Sequence, residues 1–399
     1  MNLIYIANIR VPTEKAHGLQ IMQNCEALAD AGASVELWAA RRVNTSELRA
    51  IPDVFAHYGV KHNFTLRRLI CLDLLWLVPD RTDALAKLIF ALQWITFTLA
   101  AFIRAAFTRA DVFYSRDPLI LLVLSLIKPR KSLTYEAHSA SSGHMGKAIQ
   151  RATVRRVGTV FATTRALADD LIALGADASR TFVAHDGVRA ARFANLPGKA
   201  EARREIGWDE GAFIVGYVGR LQTMAMDKGV GALVEALAQV GGCSLALVGG
   251  PDDHAAALKA RWIELGQPES TFLYAGQVPP DDVPRCLTAF DVCAMPFPET
   301  KHFAYYMSPL KLFEYMAAGR PVIASDLPSV REVVAHDESA LLIGPANVDD
   351  LAAAVRRLRD DPALRERLGS AAQKIVMDHY TWASRAKMIL EKIRPWSLV

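Results

Sequence analysis

Short apolar runs alternate with helix-length segments along the whole chain, the pattern of parallel strands joined by crossover helices. In the first half, "NLIYIAN", "SVELWAA", "DVFYSRD", "SLTYEAHS", "TVFATT" and "TFVAHDGV" read as strands. The pattern restarts at residue 213 with "FIVGYVGR", "CSLALVGG", "TFLYAGQV", "DVCAMPF", "PVIASD" and "ALLIGP". Each half opens with a strand, a glycine-bearing loop and a helix: "GLQIMQNCEALADAG", then "KGVGALVEALAQVGG". Two tandem doubly wound, Rossmann-like α/β domains facing each other across a cleft are the economical reading, and 399 residues are too many for one ordinary core. The first domain is expected over residues 1–190 and the second over 213–378. Residues 191–212, polar and broken by Pro and Gly, are expected to link them. The last segment, 379–399, is expected to pack as a helix back on the first domain.

One segment departs from the alternation. "LIFALQWITFTLAAFIRAAF", residues 88–107, is long and apolar enough to suggest a membrane span, although Arg104 interrupts it and Gln93 and threonines dilute it. A buried crossover helix is the first reading. A helix lying on a membrane surface is the alternative, because "KHNFTLRRL" supplies cations just upstream of "ICLDLLWLV". A true span is the least favoured of the three.

Composition is that of a folded soluble protein, and a net charge of +4 permits an anionic ligand or membrane surface while arguing against nucleic acid. The cysteines at 25, 71, 243, 286 and 293 are odd in number, widely spread and never in a Cys-x-x-Cys pair, so reduced thiols in a cytosol are expected. The chain begins on a strand, so no secretory leader is expected.

The chemistry should lie past the carboxyl ends of the strands. Neither opening strand is followed by Gly-x-Gly-x-x-Gly, and no Walker loop occurs, which removes the main support for an NAD enzyme or a P-loop ATPase. In "MSPLKLFEYMAAGRPVIASD" a helix starts and stops on cue. Ser308 suits the cap, Pro309 the first turn and Gly319 the position past the end. The amides of Leu310 and Lys311 are then left open as an anion site. Glu314 sits among apolar neighbours; it faces either neutral hydroxyls or Lys311 one turn back. Arg220 at a strand end and Lys228 at a helix start suit a diphosphate when taken jointly with that helix. His138 follows a strand in the first domain, and Gly18 lets backbone approach a ligand. No Asp-x-Asp and no metal-ligand spacing appears, so no metal or other cofactor is expected and protein cations must hold any phosphates.

Taken in order, "PTEKAHGLQIMQNCEALADAG", "AHDGVRAARF", "GRL…DKG", "LVGG", "YAGQV" and above all "FEYMAAGRPVIASD" resemble the family 4 retaining glycosyltransferases of the GT-B architecture, nearly end to end. The resemblance implies a cytosolic enzyme moving a sugar from a UDP- or GDP-sugar to a hydroxyl of a glycan or lipid-linked acceptor, as in envelope polysaccharide or glycolipid synthesis. It implies that Arg220 and Lys228 hold the diphosphate, Leu310 and Lys311 amides the distal phosphate, and Glu314 the ribose. Gln277 and Val278 would meet the base, His138 the donor sugar, and Gly18 the phosphate and acceptor side. Two departures stand out. Tyr306 occupies the place of a Glu usual in the family, and "LQTMAMDK" lengthens the gap between Arg220 and Lys228. The neighbouring loop offers Glu299, Lys301, His302 and Tyr305 as substitute sugar contacts. An epimerase or hydrolase on the same fold, or a nucleotide-sugar-binding subunit without activity, are the alternatives.

Overall fold

The computed structural model describes residues 1–13, 15–78, 84–223 and 226–397. The chain forms two units, Met1–His185 with Trp382–Val399, and Asp186–Thr381. The first is built on seven parallel strands: β1 (Asn2–Ala7), β2 (Ser34–Arg41), β3 (Thr65–Ile70), β4 (Val112–Ser115), β5 (Leu133–Ala137), β6 (Thr159–Ala162) and β7 (Thr181–Val183). Their order is β3-β2-β1-β4-β5-β6-β7. The second sheet contains β8 (Ile214–Val218), β11 (Ser244–Val248), β12 (Phe272–Gly276), β13 (Val292–Met295), β14 (Val322–Ser325) and β15 (Leu341–Ile343). It runs β12-β11-β8-β13-β14-β15, and a small antiparallel pair, β9 (Gln222–Thr223) with β10 (Met226–Asp227), follows β8. Both orders are those of doubly wound folds.

Burial explains why the inner strands were readable and one edge was not. Every residue of β8, β11, β13 and β14 is buried, so each reads as an unbroken apolar run. Val215 of β8 lies in register between Leu245 of β11 and Val292 of β13. Strand β3 escaped prediction because Arg67 and Arg68 interrupt it. At the sheet edge those cations are tolerated, and they discourage pairing with another chain. The helix Ala84–Ala106 makes the crossover from β3 to β4, as expected of that segment. It is not buried, however: only 28% of its most apolar stretch is covered. Residues 79–83, just ahead of it, lie outside the described residues.

The stretch 191–212 differs from the linker read in the sequence, because it is welded onto the second unit. Within its helix Lys199–Ile206, Arg203 is 1% exposed. Its guanidinium donates to Asp291 Oδ2 at 2.7 Å and to the carbonyls of Ala289, Glu210 and Ala212 at 2.7–2.8 Å. Asp291 also accepts from Lys199 Nζ at 2.6 Å and from the Ile214 amide at 2.8 Å. Burial pushes the Asp291 carboxyl up, but Lys199, the Ile214 amide and Arg203 together hold it below its usual range. A polar sequence here marks a fully bonded buried network rather than a loose joint. At the other end of the chain, the helix Trp382–Ser397 belongs to the first unit and buries Ile389, Leu390 and Ile393 there.

Breaking this network has a defined cost. Arg203→Met leaves Asp291 buried with less compensation, and is expected to lower stability by about 3–5 kcal/mol. Exposed Arg204→Met should change it by less than about 0.5 kcal/mol. Denaturant unfolding of the two variants separates the outcomes; equal midpoints would make Arg203 dispensable.

Candidate functional site

In the second sheet the strand order reverses between β8 and β13, the point at which ligands bind in such folds, beyond the carboxyl ends. Arg220 emerges one residue past Gly219 after β8, exposed, and its guanidinium has no hydrogen-bond or ion-pair partner among the described residues. The chain then passes through β9 and β10; Met224 and Ala225 of the lengthened loop lie outside the described residues. It returns at half-buried Lys228, whose amide bonds to Leu221 O at 3.3 Å. Gly229 follows with φ of 80°, and a Cβ there would lie 1.7 Å from Pro296 O, just past β13. Only glycine lets the two loops meet so closely.

The helix Leu310–Ala317 supplies the third element. Ser308 does not cap it, against expectation: its Oγ accepts from the Asp186 amide at 2.9 Å, and Pro309 takes the cap position. The Leu310 amide turns back to Ser308 O at 3.0 Å, and the Phe313 amide makes the first helical bond, to Pro309 O at 3.2 Å. The open amides are therefore those of Lys311 and Leu312, one residue further on than the sequence suggested. Lys311 Nζ donates to the Tyr217 hydroxyl and lies 3.8 Å from that ring's centroid. The hydroxyl in turn donates to Arg220 O at 2.9 Å. Lys311 is thus drawn toward β8, and no ion pair joins it to Glu314 among the described residues. Gly319 closes the helix, with its amide on Met316 O at 2.9 Å.

Electrostatics bind these groups into one site. Burial, and then the charge of Arg220, hold the Lys228 ammonium below its usual range. Burial and Lys228 push Lys311 well down, with Glu314 opposing. Local desolvation and Lys228 lower His302. Half-buried Glu314 is pushed up to about 7 by desolvation, against the charges of Arg192 and Lys311. It has no hydrogen-bond or ion-pair partner among the described residues. Cations held close together beside open helix amides are chemically able to receive an anion. An unpartnered carboxyl a turn away describes a receptor for neutral donors.

Other expected residues take quieter positions. Gln277 is exposed just past β12, and Val278 packs partly against the core. Tyr306 is 9% exposed at the end of a π-helical turn, His302–Tyr306, with Lys301 Nζ 5.7 Å from its ring centroid. Phe303 anchors that turn by stacking on Phe297 at 4.7 Å.

In the first unit, His138 Nε2 meets Glu136 Oε1 at 2.5 Å. Glu136 is wholly buried, yet Arg116 at 2.8 Å, Arg385 at 3.0 Å and then His138 outweigh its desolvation and hold its carboxyl well below the usual range. The Tyr114 hydroxyl donates to the other oxygen. Sequence reasoning named His138 and missed this support, although a carboxylate inside the apolar strand "LTYEA" was a signal. Nothing in the sequence pointed to Arg385. Gly18 has a packing reason: a Cβ there would fall 2.4 Å from Thr13 Cγ2 and 2.7 Å from the Tyr58 hydroxyl.

Residues 212–361 match the family model described as Glycosyl transferases group 1. The 2-deoxystreptamine glucosyltransferase of Streptomyces kanamyceticus is 32% identical over 222 residues, 54% of this chain and 55% of that protein. The chain spans about half the length of the curated relatives it matches. Among solved structures, Anabaena HepE in complex with UDP superposes with a TM-score of 0.72 at 19% identity, covering 99% of this chain and 100% of the other. Sucrose-phosphate synthase from Thermosynechococcus elongatus does so with 0.75 at 20% identity, covering 99% of each. The fold is the GT-B type, two Rossmann-like α/β units.

The raised Glu314 carboxyl has a measurable sign. Between its ordinary 4.5 and about 7, the unfolded chain releases this proton while the folded chain keeps it. The native protein should therefore lose stability relative to Glu314→Gln as pH rises through that interval, and the gap should level off above it. Thermal melts of both proteins across the interval check this. A pH-independent difference would place Glu314 in an ordinary solvated setting.

Proposed function

From the group 1 glycosyl transferase match over residues 212–361, we propose that this protein transfers a hexosyl group from a UDP- or GDP-sugar to a hydroxyl, with retention of anomeric configuration. The acceptor is a glycan or lipid-linked sugar of envelope polysaccharide or glycolipid synthesis, and the reaction takes place in the cytoplasm. The acceptor class and the retention rest on the family resemblance. The donor reading is carried by one observation: Arg220, Lys228 and Lys311, the last at the open start of the helix Leu310–Ala317, act on one another as like charges, and none has an ion-pair partner among the described residues. Anabaena HepE, of the same fold, was solved with UDP and with UDP-glucose, which supports a nucleotide-sugar here.

In this reading the diphosphate occupies the cation cluster. As the bond from the anomeric carbon to the distal phosphate oxygen breaks, negative charge grows on the diphosphate. Arg220, Lys228 and the Lys311 and Leu312 amides receive it, the amides being fixed by the helix start. Glu314 accepts from the ribose hydroxyls, which gives the unpartnered carboxyl its donors. Gln277 and Val278 border the base. His138 keeps the part given by the resemblance, contact with the donor sugar, with Nε2 committed to Glu136 and Nδ1 left to meet a hydroxyl. Protein cations do the work that a divalent ion does elsewhere.

Two measurements test this. UDP or GDP at a hundred times its dissociation constant should stabilise the protein by roughly 2.7 kcal/mol. In turnover, Lys228→Ala should lower kcat by roughly 10² to 10³, because it meets charge that develops only in the transition state. Glu314→Gln should mainly raise the donor KM, because ribose is held equally before and during cleavage. Full kcat in Lys228→Ala would reduce Lys228 to a surface cation. Nucleotide binding without turnover on any donor would favour the non-catalytic subunit that Tyr306 suggests, and turnover without an acceptor an epimerase or hydrolase. Excess EDTA should leave activity intact; loss restored by magnesium or manganese would reject the metal-free reading.

A further inference from the structure

The helix Ala84–Ala106 is inside out. Three of its polar residues face the protein: Gln93 exchanges hydrogen bonds with Asn8 at 2.9 and 3.3 Å, Thr98 is buried, and Arg104 lies 3.7 Å from Glu36 and over the Trp38 ring. Its outward face is Leu85, Leu88, Leu92, Ile95, Leu99 and Ile103, spaced three or four apart and all exposed, with Leu88 at 67% and Ile95 at 57%. The one polar side chain on that stripe, Thr96, turns its hydroxyl back to Leu92 O at 2.9 Å and accepts from the Leu72 amide at 3.0 Å. Phe107, 88% exposed, extends it at the carboxyl end, and the adjoining elements add exposed Ile70, Trp76 and Leu126. A patch this continuous, about 35 Å along a 23-residue helix, exceeds what a monomer leaves in water without cause.

We propose that this face docks on an anionic lipid bilayer, with the helix lying flat in the interface. The charge of the surrounding chain selects the occupant. Among the described residues of 61–131, seven Lys or Arg are exposed against one Asp, Asp111. A second copy seated on the patch would bring two such surpluses together. A bilayer containing anionic lipid offers acyl chains to the stripe and phosphates to the cations at once. Trp76 suits the headgroup level. A span is ruled out by the inner side, where Phe97, Ala101 and Ala105 are wholly buried in the first unit. The inference holds independently of the glycosyl-transfer reading.

Flotation of the full chain with phosphatidylcholine vesicles, with and without roughly 30 mol % phosphatidylglycerol, is the test. The protein should float with the anionic vesicles and bind less to neutral ones. Leu88→Glu with Ile95→Glu should cut the bound fraction at least about tenfold while the thermal melt is unchanged. In the unaltered chain, brominated lipid should quench tryptophan fluorescence, and Trp76→Phe should remove part of that quenching. Failure to float on either kind of vesicle overturns the proposal. So does a dimer by light scattering that the double variant dissociates, since the occupant would then be a second copy.

Discussion

A parallel sheet covered on both faces has no room for charge except beyond the ends of its strands, and this constraint organises both units. In the second unit, β8, β11, β13 and β14 are buried at every residue and carry no charged side chain, so charge enters only past the strand ends, as with Arg220 after β8. The strand order reverses between β8 and β13. Gly229 then lets the loops touch at Pro296 O, and the cations are gathered as a consequence. The first unit tolerates charge toward its sheet edge, at Arg67 and Arg68 of β3 and Glu36 of the neighbouring β2, and also deep inside. Glu136 sits inside β5, and the fold surrounds it with Arg116, Arg385, His138 and Tyr114 to make its charge tolerable.

The two units handle charge in opposite ways. Around Glu136 the charges are complementary, so the network is at rest and fixes the orientation of His138. Around Lys228 burial comes first and like charge second in disfavouring the ammonium groups, with Glu314 opposing at Lys311. The Glu314 carboxyl, pushed up to about 7 by desolvation, is likewise left uncompensated by any ion pair among the described residues.

Much of this was legible in the sequence, for a physical reason. Strands buried on both faces announce themselves as apolar runs, and all the predicted strands of the second half appear in its sheet. Arg220, Lys228, Lys311 and Glu314 could be singled out as candidates because the sequence shows where a strand ends and a helix starts. What was missed depends on tertiary partners. Arg67 and Arg68 hid an edge strand, Arg203 looked like a linker cation, and Ser308 gave its hydroxyl to the Asp186 amide instead of its own helix. Composition marked the helix Ala84–Ala106 as apolar, but only the structure shows which of its faces meets solvent.

The return of the helix Trp382–Ser397 to the first unit has a consequence for how the chain is made. Arg385 bonds Asn24 at 2.8 Å across 361 residues of sequence, and the same guanidinium reaches Glu136. At ordinary elongation rates roughly 20 to 70 s of synthesis separate the two halves of that contact. Through that interval the second unit can be threaded and folded whole, while Glu136 waits with Arg116 but without Arg385. The unit that leaves the ribosome first is the one completed last, and the setting of His138 is a late product of translation.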